Sequence, residues 1–153
     1  MEEKERQRLA EQRATNAQTV TFVANQEADI VTAAEERAES NPAWNAVAAA
    51  ERERVDLLLT VAAEESELAT ALNTGTADED DVAAEERAIA GALRAVSQAE
   101  GQIAAELKAL EREDDYGPVL LAEQAEWNRD LLRHVAQTAS QAERTLREDQ
   151  GTP

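Results

Sequence analysis

The 153-residue chain contains no cysteine, which excludes a disulfide framework, a thiolate metal site and a cysteine nucleophile. It suits a reducing compartment, and the expected location is the cytoplasm, or a virion if the gene is viral. Aromatic side chains are scarce: one Phe, one Tyr and two Trp, so any core must be thin and aliphatic. The five glycines are isolated, which excludes a glycine-rich phosphate loop. No run approaches the roughly 18 apolar residues of a membrane span; the densest, Leu57 to Ala63, is closed by Asp56 and Glu64. The opening Met1-Glu2-Glu3-Lys4-Glu5 is charged with no apolar run behind it, so a secretory signal is not expected. His134 is the single histidine, and no Ser-His-Asp arrangement is visible around it.

Lysine is also rare: apart from Lys4 and Lys108 every basic residue is arginine, and 33 acidic against 15 basic side chains leave a formal charge of −18. Contact with nucleic-acid phosphates or anionic lipid would be electrostatically uphill, so neither is expected as a partner. A lysine-poor acidic surface suits molar salt, where the Debye length falls to about 3 Å and self-repulsion is screened. The composition reads as that of a protein from a halophilic archaeon or its virus. A GC-rich genome favouring Arg, Ala and Glu codons is the alternative.

What remains is rich in alanine, glutamate, arginine, leucine and glutamine with sustained three-four spacing, the pattern of long helices. Residues 1–13 carry four acidic and four basic side chains with Leu9 as the only large apolar anchor after Met1; they read as a charged N-terminal arm. A four-helix domain is expected over 14–148, with helices at about 14–39, 42–72, 78–112 and 118–147, and a loose tail over 149–153. Asn41-Pro42 starts the second helix as N-cap and first position. Asn73-Thr74-Gly75 ends it, and Thr76 to Glu79 has capping-box spacing for the third. Short turns make consecutive helices antiparallel neighbours. The predicted fold is all-α: an antiparallel up-down-up-down bundle, or extended helical hairpins completed by oligomerisation. Ala-Ala-Glu-Glu recurs at Ala33, Ala62 and Ala83 at unequal intervals, which points to biased composition over a true repeat.

One feature invites chemistry. Glu27, Glu51, Glu65, Glu86 and Glu100 stand inside otherwise apolar stripes. Inward glutamates in a four-helix bundle are the plan of ferritin-like di-metal proteins, which need Glu on two helices and Glu-x-x-His on the other two. Glu27, Glu65, Glu100, Asp130 and His134 are the candidate ligands. The match is partial, because Leu131 stands three residues before His134 and Asp130 four before it. The simpler reading is that stripe glutamates reach past small alanines to water, or pair with arginines such as Arg52, Arg54, Arg87 or Arg94. On that reading Glu65→Leu and Glu100→Leu would be tolerated. Trp44 and Trp127 are candidates either for plugging the bundle ends or for anchoring a partner. Asp78 to Asp81 lacks the spaced ligands and central glycine of an EF-hand and reads as a solvated helix start.

With no catalytic constellation and no cofactor motif, the leading expectation is a non-enzymatic structural, assembly or adaptor protein. It would act through protein–protein contacts, as a homo-oligomer or within a larger particle. The alternative is a ferritin-like carboxylate bundle with a di-iron site.

Overall fold

The three-four spacing does what it predicts: each helix turns one stripe inward. The computed structural model describes residues 1–112 and 114–151 and consists of α1 (Glu3–Ala38), α2 (Trp44–Thr74), α3 (Glu79–Ala109) and α4 (Gly117–Gly151). α1 packs along α2 and α3 along α4, and the two hairpins dock chiefly through α1 and α4, with α2 and α3 touching more sparsely. The result is an antiparallel four-helix bundle. No described helix is long and apolar enough to cross a membrane.

Local chemistry sets the helix ends. Gly75 closes α2 at φ 68°, a left-handed conformation that glycine adopts without a Cβ penalty, and the Thr76 N–H donates back to Ala71 O at 3.1 Å. Asp78, not Thr76, caps α3: its Oδ1 accepts from the Asp80 and Asp81 N–H groups at 2.9 and 3.2 Å. The carboxylate is one acceptor for two orphan donors, and the acidic first turn complements the helix dipole. Asn41 Oδ1 accepts from Ala43 N–H at 3.1 Å, and regular helix begins at Trp44, two residues later than Pro42. Between the hairpins Arg37 pairs with Asp115 and lies 5.2 Å above the Trp44 ring. One guanidinium therefore ties the α1–α2 turn to the α3–α4 turn.

Residues 1–13 are not a separate arm. Helix α1 starts at Glu3, and Leu9, Ala10 and Arg13 are buried. The Met1 ammonium lies 3.2 Å from Asp149 and 3.7 Å from Glu79. Pairing with those carboxylates raises its pKa, the hydrogen bond to Asp149 contributing most.

The core is divided. A large apolar cluster runs from Leu9 and Leu146 to Val23, Val96 and Leu132. A smaller one gathers Ile30, Trp44, Val47, Ile103, Leu107 and Ala125. What separates them is polar.

Candidate metal centre

Glu27 stands between Ala24 of the large cluster and Ile30 of the small one. Glu51 stands between Ala48 and Leu58, Glu100 between Val96 and Ile103, and Asn128 between Ala125 and Leu132. Each helix thus contributes one polar side chain to a single layer across the bundle, and all four have 0% of their surface exposed. The glutamates do not reach past their alanines to water. In an antiparallel bundle these positions face the shared axis, and four neighbouring helices leave no lateral route out for a side chain of that length.

One carboxylate oxygen from each of Glu27, Glu51 and Glu100 lies within 4.8 Å of the others. Hard cations hold oxygen ligands at about 2.0–2.6 Å, so a single ion can span all three. Arg54 Nη1, at the edge of the layer, is 3.3 Å from Glu51 Oε1 with 20% of its side chain exposed. It is the one basic partner paired with this layer among the described residues. Both oxygens of Glu27 and Glu100, Glu51 Oε2 and both polar atoms of Asn128 have no hydrogen-bond partner there. Burial, the first cause in every case, drives the carboxyl pKa values up: Glu27 to about 8, Glu51 to about 9 and Glu100 to about 8. The neighbouring Glu51 charge is the next cause for Glu27, and the close Glu100 carboxyl is the next for Glu51. Unpaired charge cannot persist in such a place. The layer must hold either protons or a cation.

A second polar layer shows what internal compensation looks like. Arg13, Glu65 and Glu86, all 0% exposed, lie within the large apolar cluster. Arg13 Nη1 is 2.9 Å from Glu86 Oε2 and its Nε is 3.5 Å from Glu65 Oε2. Asn16 Nδ2 donates to Glu65 Oε2 at 3.0 Å, and its amide also meets Thr138 Oγ1. One guanidinium is shared between two carboxylates, so the pair holds on to a proton: burial first, and then Glu65, push the Glu86 pKa to about 10.

The two layers follow one plan. Arg13 and Glu27, Glu51 and Glu65, and Glu86 and Glu100 are each fourteen residues apart, two heptads or about 21 Å along a helix. Where the second layer has Arg13, the first has Glu27. The internal cation of one layer is replaced by a third carboxylate in the other.

Of the ligands expected from the sequence, Glu27 and Glu100 come together. Glu65 belongs to the other layer. Asp130 is exposed and contacts Arg129; His134 is exposed over a shallow hollow between α1 and α4. These three are remote from the converging carboxylates, because Asp130 and His134 lie off the buried stripe of α4. Glu51 and Asn128 complete the layer instead. Their signal was present in the sequence: Asn128 is the one polar residue in the buried stripe of α4, and Glu51 stands two heptads before Glu65. Of the arginines proposed as partners, Arg54 pairs with Glu51, whereas Glu65 and Glu86 take Arg13 from the segment read as an arm. Trp44 is buried, and Trp127 is 64% exposed.

Comparison with known proteins adds no relative: no protein-family model, no curated protein and no solved structure matches the chain.

Proposed function

We propose that this bundle is a binding protein for one hard divalent cation, held by Glu27, Glu51 and Glu100 with the Asn128 amide as fourth donor. The observation that carries the reading is three fully buried carboxylates converging without an internal counter-charge. A divalent ion together with Arg54 balances three negative charges. The all-oxygen donor set favours magnesium, calcium, manganese or ferrous iron over zinc or copper, which prefer imidazole and thiolate.

The site is mononuclear in this reading. Two-metal centres hold their ions about 3.5–4 Å apart, and the remaining buried carboxylates, Glu65 and Glu86, stand about two heptads away, closed by Arg13. That argues against the di-iron oxidase form of the ferritin-like plan, and the proposed role is binding, with no catalysis. The acidic surface supports a halophilic setting for it.

Titration calorimetry of chelator-treated protein with manganese, calcium and magnesium at about pH 8, near the carboxyl pKa values, tests the proposal. The expected result is one ion per chain, binding lost in Glu27→Gln and Glu100→Gln and kept in Glu86→Gln. Wild-type protein that takes up none of the three ions would overturn it.

A second reading, a structural or adaptor role through protein contacts, is supported by Trp127 and Leu120. They are two turns apart on α4, and 64% and 63% exposed.

A further inference from the structure

On a molecule of charge −18, arginines are concentrated on one face. Arg87 and Arg94 from α3 and Arg133, Arg144 and Arg147 from α4 line two adjoining hollows of about 640 and 680 Å³, which share Arg94, Ser140 and Arg144. Against these five stand Glu143 and Glu148, and Glu143 contacts Arg147 at 2.9 Å. Arg87, Arg133 and Arg144 form no ion pair among the described residues, and Arg94 contacts only the Ser140 hydroxyl. Between the arginines the floor is small: Ala90, Ser97 and Ser140. From Arg133 to Arg147 the groove runs fourteen residues of α4, about 21 Å.

The complementary surface is on the same chain. Glu53, Asp56, Glu64 and Glu67 are all exposed on α2, spaced over the same fourteen residues and unpaired with any base among the described residues. Asp81 and Glu85 of α3 adjoin their end, and the crowding is real: Glu85 has a raised pKa, from partial burial first and then from Glu64, Asp81 and Glu67. Leu57, 43% exposed, sits within this ridge, an apolar side chain of a size the small-residue floor can receive. Arginine forks match carboxylates in pairs, and the two surfaces match in sign and length.

We infer that the α3–α4 arginine groove is the docking site for the acidic α2 ridge of a second copy of this chain. Groove and ridge lie on different faces, so the contact is heterologous and each copy keeps one surface of each kind to offer onward. Net repulsion between copies opposes the contact at low salt. At about 0.15 M the Debye length is about 8 Å, which screens the distant charges and leaves arginine–carboxylate contacts in place.

The test is sedimentation velocity at that salt over a range of concentrations. Wild type should associate, while Arg94→Glu/Arg144→Glu and Glu64→Arg/Glu67→Arg should each be monomeric with unchanged helical circular dichroism. Mixed one to one, the two variants should form a pair, because the first retains a native ridge and the second a native groove. Wild type that stays monomeric to its solubility limit would overturn the inference. So would variants that associate as wild type does, or a mixture that does not pair.

Discussion

Arg13 is the residue on which the large cluster's polar layer depends. Removing one partner of a buried ion network leaves uncompensated charge and costs about 3–5 kcal/mol, so Arg13→Met should lower stability by that order in a denaturant titration. Glu65→Leu, which looks tolerable from the stripe alone, should be costly for a related reason: it takes away the 3.5 Å contact to Arg13 and the acceptor of Asn16. Glu100→Gln should instead stabilise the metal-free chain, since a neutral isostere removes a buried acid, while abolishing ion binding. The pH dependence follows from the same groups. Glu27, Glu51, Glu86 and Glu100 all have folded pKa values above their ordinary 4.5, at about 8, 9, 10 and 8. The folded chain therefore holds more protons than the unfolded chain between those limits. Their contribution is fully present below about pH 4.5 and is lost as pH rises through 8 to 10. Thermal melts of chelated protein should move downward from about pH 6 to about pH 9. With manganese present the decline should be shallower, because an ion has replaced protons in one layer. Equal slopes with and without metal would count against the cation site.

Among the elements, the helix ends offer direct measurements. Asp78→Ala removes the acceptor of two N–H groups and should cost about 1 kcal/mol. Gly91 is exposed with nothing within 4 Å of where a Cβ would be, so Gly91→Ala should stabilise α3 by about 0.5–1 kcal/mol, read as a higher denaturation midpoint. A neutral or negative result would mean that Gly91 is used by a contact outside the single chain. The helices and their order were legible in the sequence because Gly75, Asn41-Pro42 and Gly117-Pro118 punctuate a strong three-four period. The start of α1 was not. A segment with one leucine anchor looks like a solvated arm until Arg13 is recognised as an interior residue, and interior charge becomes visible only when its partners on other helices are placed. The candidate site was half legible for the same reason. Periodicity put Glu27 and Glu100 on inward stripes, but which stripe glutamates meet depends on how antiparallel helices align end to end. That alignment pairs Glu27 with Glu51 and Arg13 with Glu65. His134 is a scarce ligand type, and scarcity says nothing about facing inward.

For the whole molecule, charge is the dominant variable. Residues 1–13 are balanced, so the excess of acid falls on the remaining 140 residues, 29 acidic against 11 basic. At about 0.01 M salt the Debye length is near 30 Å and at about 1 M near 3 Å, and repulsion is relieved by expansion. Helical circular dichroism melts should therefore shift upward by many degrees as KCl rises, mostly below about 1 M. A flat profile would leave codon usage as the explanation of the composition. The paired polar layers have a further effect, on sliding. Alanine-rich stripes are nearly featureless, and two such hairpins have little reason to prefer one axial offset over another. A slip of one heptad between the hairpins, about 10 Å, would set Glu86 and Glu100 against the aliphatic rungs of α1 and α2. A slip of two heptads would bring Glu100 beside Arg13 and Glu65 while leaving Glu86, and the pair Glu27 and Glu51, without their neighbours. Only one offset satisfies both rungs at once, so the layers act as a vernier, and a chain with little shape in its core acquires a single alignment from the placement of its buried charge.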